Sequence, residues 1–444
     1  MGPPASPEQV SFRVDRPERR APFADAPTMG ERGLRTQQRI MRASLEVFDE
    51  VGYHRAGIAH ITARAGCSRP AFYQYFASKE DVFRRLFDDL GHRLVAVADA
   101  LQPVTPDSLG WHALRDFVTD HAELYDRFAP LFHSSLTPAI ATDSVLETRV
   151  EDVRLAMAER LRAAVRPRSR SRDLILPTLL LRAATRAHLY RDYLLGGRIS
   201  SRARARVEDA VTDVMHRAFF GVVPGVNLRP RRPQPPLVVP PALARRHVAG
   251  GLGAPSGSVG RSTRARILEA GREVFATLGY HDVTVDAVVE RAQVSHGIFY
   301  RYFQNIEDLF VVVADAASRR VAAVMADVPW GALVLPRGGS PAVRDWLGRH
   351  RKLYAHDHAV FRVWLEGNWF SPEFRAQGAA VMAQMYEPFV AQLAARPAGD
   401  PEADAFVLFA ILDQVDAPLS KLDDGRRLPE VLLRFLRRAF ACVD

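Results

Sequence analysis

The sequence predicts an all-α protein built from two tandem units, each a three-helix head followed by a larger helical body. Three observations predict it. Residues Thr36 to Phe83 recur as Thr263 to Phe310 at a constant offset of 227 without a gap, and twenty of the 48 aligned positions are identical. Apolar residues in both copies fall at helical spacing. No stretch shows the sustained apolar–polar alternation of a strand. A period this long exceeds any solenoid repeat and marks duplication of a whole domain or subunit.

Composition bounds the class. A chain of 444 residues accommodates two to four domains and several cores. The net charge of +9 and pI of about 9.9 suit a polyanionic partner, although arginine abundance also follows from coding bias. Cys67 and Cys442 are the two cysteines, which excludes a disulfide framework or a cysteine zinc site and fits a reducing compartment. No run of 18 apolar residues and no hydrophobic signal core is present, so a soluble cytoplasmic protein without membrane contact is expected.

Residues 1–33, rich in Pro, Arg and Glu, read as a disordered tail. Its Arg19, Arg20 and Arg32, with Arg35 just beyond, form either a basic arm on DNA or a solvated face. The first head covers 34–94, with a helix-turn-helix at about 56–75. Ile40, Ala43, Val47 and Phe48 share one face of its first helix, and Gly52 is expected to end that helix. Ile58, Ile61 and Ala65 face inward from a second helix. Gly66-Cys67-Ser68 makes a tight turn, Ser68 caps a third helix, and Pro70 sits in its first turn, where a missing N–H costs nothing. Helix, short turn, helix is an arrangement whose second helix can enter a DNA major groove.

Residues 95–221 follow as a body, with helices expected near Leu109–Ser135, Val145–Val165, Leu174–Leu195 and Arg204–Phe220 after a connecting helix from Asp81 to about Leu101. Residues 222–262 hold eight prolines, six glycines, six arginines and no acid, which reads as a linker spanning roughly 35 Å. The second head covers 263–321, with its helix-turn-helix at about 283–302, Thr284 and Ser295 as caps, and Gln293 in place of the turn glycine. The second body, 322–444, continues from a connecting helix at about Glu307–Ala326. Its further helices are expected near Pro341–Ala355, His358–Trp369, Pro372–Leu393, Ala403–Leu422 and Leu428–Cys442.

The paired pattern resembles the tetracycline-repressor (TetR) family of transcriptional regulators. In copy one it runs through Ile40, Ala43, Val47-Phe48, Gly52-Tyr53, Ala65-Gly66-Cys67-Ser68, Phe72-Tyr73-x-Tyr75-Phe76 and Ser78-Lys79-Glu80. In copy two it runs through Ile267, Ala270, Val274-Phe275, Gly279-Tyr280, Ala292, Ser295-x-Gly297, Phe299-Tyr300-x-Tyr302-Phe303 and Glu307-Asp308. The resemblance implies that Ser68, Arg69, Pro70 and Ala71 face the groove in one head, and Ser295, His296, Gly297 and Ile298 in the other. It implies backbone contacts from Tyr73, Tyr75, Lys79, Tyr300 and Tyr302, with Gln74 and Arg301 as additional ones. An arginine such as Arg69 can donate two hydrogen bonds to guanine, worth about 1–3 kcal/mol of discrimination. Copy two departs from the pattern at Ile306, which stands where copy one has Lys79, and Asp282 and Asp286 add negative charge, so a weaker second head is expected.

The resemblance further implies helical bodies that bind a small, apolar effector, with repression of transcription and nucleoid association while on DNA. Aromatic candidates for an effector pocket are Trp346, Tyr354, Phe361, Trp364 and Tyr386 in the second body and Trp111, Phe117 and Phe128 in the first. Either an intrachain pseudo-dimer or a homodimer with four heads satisfies the two-fold plan of such regulators. For the pseudo-dimer, helices Leu174–Leu195 and Arg204–Phe220 are expected against Ala403–Leu422 and Leu428–Cys442. His350, His356 and His358 beside Asp357 read as a solvated helix end rather than a metal site, since two-apart histidines diverge on a helix. No phosphate loop, nucleophile elbow or metal-ligand helix motif supports an enzyme or a cofactor. Two other classes stay open: an effector-independent DNA-binding factor, and a protein-interaction module with one degenerate head.

Overall fold

The structure, a computed structural model, describes residues 30–134, 144–166, 173–195, 200–237, 257–333, 340–365, 372–396, 398–413, 422 and 427–441. The readings placed on residues 1–29, on 238–256 of the linker and on Trp369 and Cys442 lie outside them, as do those on the side chains of Phe361, Trp364 and His358. Among the described residues the architecture is helical, with only isolated bridges between extended segments. No helix among them is long and apolar enough to cross a membrane.

The first head is α1 (Glu31–Arg55), α2 (Ile58–Ala65) and α3 (Arg69–Tyr75), joined to its body by α4 (Lys79–Asp99). The expected apolar face of α1 is the buried one, with Ile40, Ala43, Val47 and Phe48 at most 4% exposed. Gly52, at φ 75° and ψ 155°, breaks the helix as expected, and Tyr53, His54 and Arg55 add a last turn to α1 beyond the kink. Phe72 and Phe76 are fully buried, and removing each ring from water contributes roughly 2–3 kcal/mol before entropy. Ser78 accepts the Asp81 N–H at 3.2 Å and starts α4.

The second head repeats this plan in α9 (Gly257–Leu278), α10 (Val285–Ala292) and α11 (His296–Tyr302), followed by α12 (Ile306–Ala326). Asn305 caps α12 as Ser78 caps α4, accepting from the Asp308 N–H at 2.8 Å. The first body packs α4 with α5 (Ser108–Ser134), α6 (Ser144–Ala164), α7 (Ile175–Leu195) and α8 (Ser201–Phe220). The second packs α12 with α13 (Trp330–Leu333), α14 (Ser340–Leu365), α15 (Pro372–Leu393), α16 (Pro401–Asp413) and α17 (Leu428–Leu436), which a π-helical turn at Arg437–Ala441 extends.

Boundaries differ from the sequence reading in places: α1 begins at Glu31, inside the expected tail 1–33, and α9 at Gly257, inside the expected linker 222–262. Pro341–Ala355 and His358–Trp369 were expected as separate helices, yet α14 runs through His356 and Asp357. The reason is electrostatic. Asp357 is fully buried, and Arg320 on α12 donates to both its carboxylate oxygens at 2.8 and 2.9 Å. Burial opposes that charge, but the Arg320 and His356 hydrogen bonds outweigh it and hold the carboxyl below its usual range.

The halves meet along α7 and α8 of the first body, which pack on α16, α17 and the π-helical turn of the second. Tyr190 and Phe409 stack at 4.9 Å across the contact. Arg217, with no exposure, donates to the Asp404 carboxylate at 2.9 Å, the Ala439 carbonyl at 2.7 Å and the Asn227 carbonyl at 2.5 Å. Arg206 forks onto Asp400 at 2.8 and 3.0 Å.

Residues 222–237, read from sequence as the start of a free linker, lie as a strap across this seam. The Gly399 N–H donates to the Arg229 carbonyl at 2.8 Å, Arg231 donates to the Ala394 and Arg396 carbonyls at 2.9 Å each, and the Leu237 N–H donates to Glu402 at 2.6 Å. Arg229 also sits over the Trp111 ring at 4.7 Å. Prolines cannot donate to a ladder, so this segment is held by its arginine side chains and a few backbone groups instead.

Candidate nucleic-acid interface

Each head presents the N-terminal turn of its third helix. In copy one Gly66 takes a left-handed conformation (φ 60°, ψ 42°) that turns the chain between α2 and α3. The Ser68 hydroxyl then accepts the Ala71 N–H at 3.2 Å, and Pro70 occupies the first turn. Ser68, Arg69, Pro70, Tyr73 and Gln74 are exposed, while Ala71 and Tyr75 are half-buried. Arg69 makes no ion pair with any described residue, so its guanidinium is available.

Copy two reaches the same shape at higher local cost. Gln293 adopts φ 51°, ψ 53°, and the Ser295 hydroxyl lies 3.4 Å from the Ile298 N–H. Ser295, His296, Gly297, Ile298, Tyr300 and Arg301 are exposed. His296, aligned with Arg69, lies 2.5 Å through Nε2 from Asp286 on α10. That carboxylate engages the group expected to read bases and adds a negative charge beside it.

Two expected backbone contacts are placed differently. Tyr302 is only 7% exposed and packs into the head's core, where Tyr75 in copy one is half-buried. Lys79 points back into its own head, donating to the Tyr53 carbonyl at 2.8 Å and sitting 4.3 Å from that ring's centre. Burial lowers the pKa of its ammonium. Tyr73 and Tyr300 keep 42% and 50% of their surface in solvent, each set edge-on to the core phenylalanine before it.

The heads touch each other at equivalent positions. The His54 and His281 rings stack at 4.9 Å with 28° between their planes. Contact between residues at the same repeat position is the pattern an isologous interface has. Nothing in the periodicity pointed to this contact, since both histidines follow helix-breaking glycines and read as turn residues.

The effector candidates are not brought together. Trp111 donates to Asp213 at 2.7 Å, and Phe117 and Phe128 are at most 3% exposed in the first-body core. In the second body Trp346 donates to the Val324 carbonyl at 2.8 Å and Tyr386 to the Glu402 carbonyl at 2.6 Å. The void beside Trp346 is about 10 Å³, scarcely room for one water. Tyr354 is half-buried and stacks on His350 at 5.6 Å, and the Phe361 and Trp364 side chains are outside the described residues. His350 itself, 1% exposed, lies among rings and is held neutral by burial, with a pKa near 4. Among the described residues no three His, Cys, Asp or Glu side chains gather as a metal site.

A cavity of about 470 Å³ lies elsewhere, among α4, α5, α6 and α7 of the first body. Phe87, Leu90, Leu94 and Val95 line it from α4, and Val153 and Met157 from α6. His121 and Tyr125 come from α5, and Leu181, Arg182, Thr185 and Arg186 from α7. At Gly91 on its wall a Cβ would stand 2.9 Å from Val153, so glycine there lets α4 and α6 approach closely. The volume falls within the roughly 300–1,000 Å³ of small-molecule sites. A signal was present in the sequence: Arg182, Thr185, Arg186 and Leu189 share one helix face.

Comparison with known proteins accords with the heads. The family described as "Bacterial regulatory proteins, tetR family" matches residues 40–86 and again 267–313. The chain is 33% identical over 73 residues to YdgC of Bacillus subtilis, an uncharacterized HTH-type transcriptional regulator, covering 16% of this chain and 37% of that one. It is 40% identical over 58 residues to the A-factor receptor protein of Streptomyces griseus (13% and 21%). To the HTH-type transcriptional activator FasR of Mycolicibacterium smegmatis it is 38% identical over 79 residues (17% and 36%). The chain thus spans well under half the length of each of these three relatives. The family model thus matches twice, each time over a head folded as three helices around a capped turn, so the chain carries two tetR-family heads in tandem.

Proposed function

We propose that the chain is a one-component transcription regulator that binds duplex DNA through two unequal heads on one polypeptide and is released by a small ligand. The observation that carries the reading is the pair of exposed, capped α3 and α11 N-termini, one offering an unengaged Arg69 and the other a His296 tied to Asp286. Arginine forks onto guanine in the major groove, whereas a carboxylate-bound histidine is a poorer reader. The expected target is therefore a quasi-palindrome with one strong and one weak half-site, and repression is the expected outcome. The contact of α7 and α8 with α16 and α17, and the His54–His281 stack, favour an intrachain pseudo-dimer over a four-headed homodimer. Tethering supplies the second head at an effective concentration on the order of millimolar.

Ligand control is supported by α4. The helix follows α3 in the head, and about two turns further on, from Phe87, it forms a wall of the cavity. A ligand that moves this wall moves the head with it. The test is a footprint on the chain's own upstream region across a salt series, with sedimentation of the free protein. Binding that falls steeply with salt, by a species of one chain's mass, supports the reading. A tight homodimer would remove the pseudo-dimer, and indifference to duplex DNA in dilute buffer would remove regulation altogether.

A further inference from the structure

The first helix of the first head carries a row of charge that base reading does not use. Arg32, Arg35, Arg39 and Arg42 stand at i, i+3, i+7 and i+10 of α1, within about 80° of arc and along about 15 Å of its axis. All four are exposed. Neighbouring acids are engaged elsewhere: Arg64 on α2 donates to Glu46 at 3.2 Å and to Glu50 at 2.6 and 2.7 Å. Asp49 stands two turns beyond Arg42. Glu31 meets Arg35 at 3.1 Å with both side chains largely in water, a pairing that contributes little and exchanges readily. Arg32, Arg39 and Arg42 make no ion pair among the described residues.

The row passes beside the turn that leads into α3. Burial raises the pKa of the Cys67 thiol and the charge of Arg39 opposes the rise, which sets Arg39 close to Gly66-Cys67-Ser68. Its repeat equivalent shows how far such a side chain extends. Arg266 donates to the Ala292 carbonyl at 2.8 Å and the Gln293 carbonyl at 2.9 Å, where α10 turns toward α11. The second head has no comparable row. At the offset of 227 its residues are Val259, Ser262, Arg266 and Glu269. Arg266 is held at the turn, and Glu269 reverses the sign of Arg42 and accepts from Arg272 at 3.1 Å.

We propose that the row Arg32, Arg35, Arg39 and Arg42 is a second DNA contact, carried by the first head alone, that holds backbone phosphates beside the half-site read by Arg69. Duplex DNA presents a charge about every 3.4 Å along each strand, so four guanidinium groups over about 15 Å meet several phosphates. Phosphates are alike whatever the sequence, and the row therefore adds grip without adding preference. The two heads then differ in hold as well as in reading. This contact rests on the DNA-binding reading and deepens it.

The experiment measures the affinity of the full chain for two duplexes of equal length, its own upstream region and an unrelated sequence, from about 50 to about 200 mM salt. Arg39→Gln/Arg42→Gln is expected to make the slope of log affinity against log salt shallower by about 2, at about 0.9 for each of two phosphates. It should weaken both duplexes by the same factor. Arg232→Gln/Arg344→Gln removes the same charge from exposed arginines on the strap and on α14, and is expected to leave the slope as it is. All four side chains lie in solvent, so melting midpoints should match the wild type and the comparison stays one of binding. An unchanged slope in the first variant, an equal change in the second, or a loss confined to one duplex overturns the proposal while DNA binding stands. A wild-type chain indifferent to both duplexes at the lower salt would overturn the proposal together with the reading beneath it.

Discussion

His54 and His281, separated by one full repeat in sequence, lie ring on ring at 4.9 Å where the two heads meet. Neither ring carries a proton comfortably. Burial and then Lys79 lower His54, against a pull from Asp282, and burial, His54 and Arg55 bring His281 down to about 4. A depressed folded pKa means the contact is fully stable above the ordinary histidine value of 6.5 and is lost as pH falls toward 4. Thermal unfolding across that window should show the wild-type midpoint falling. His121, His133, His188 and His350 are also buried and lowered, so the readout is the difference from His54→Gln/His281→Gln, whose slope should be shallower.

The two reading heads should respond unequally to substitution. Arg69→Ala is expected to cost about 1–3 kcal/mol of operator affinity and to relax preference at one guanine. His296→Ala should cost less, because Asp286 already engages that ring. Competition binding against a panel of single-base operator variants measures both, and a larger loss from the histidine change would reverse the assignment of strong and weak heads.

Arg217 and Asp404 form a buried pair between the halves at 2.9 Å. Burial works against the Asp404 charge, but Arg217 and Arg396 hold its carboxyl below the usual range. Removing one partner leaves the other's charge uncompensated, and Asp404→Ala should destabilise the chain by about 3–5 kcal/mol in urea unfolding. Arg217→Met/Asp404→Leu should recover only part of that loss, since it removes the paired charges but still takes the Asp404 bond from Arg396 and the donor from the Ala439 and Asn227 carbonyls.

The turn before each third helix offers a reciprocal test. Gln293 stands in the left-handed region that Gly66 occupies in copy one. Gln293→Gly should stabilise the second head by up to about 1 kcal/mol, and Gly66→Ala should destabilise the first by about 1–2 kcal/mol. Hydrogen exchange in α10 and α11 against α2 and α3 separates the two effects.

The heads were legible because their constraints are local. Ser68 and Ser295 as caps, Phe72 and Phe299 as core anchors, and the apolar face of α1 all follow from spacing within a dozen residues. What escaped was set by contacts between distant segments. The helix break expected at His356-Asp357 vanished because Arg320, on another helix, neutralises Asp357. Aromatic content pointed to an effector site in the second body, yet Trp346 and Tyr386 are spent on packing and backbone hydrogen bonds there. The cavity is instead marked by polar residues on α7, a pattern that gains meaning only once α4, α5 and α6 are seen around it. Lys79 and Ile306 likewise looked like a contrast in phosphate binding, and the lysine's return to Tyr53 depends on a fold the motif does not encode.

The strap at residues 222–237 is more than a tether. In an assembly of identical chains every substitution appears twice, and any change that suits one side of the seam must also suit the other. Here Arg217, Arg206 and Arg231 belong to one side only, and Asp404, Asp400 and the Ala394 carbonyl to the other. Evolution can therefore retune a single face, a single pocket or a single reading helix without a matching change in its twin, and the divergence of Arg69 from His296 is the kind of independence that a shared gene for both subunits makes possible.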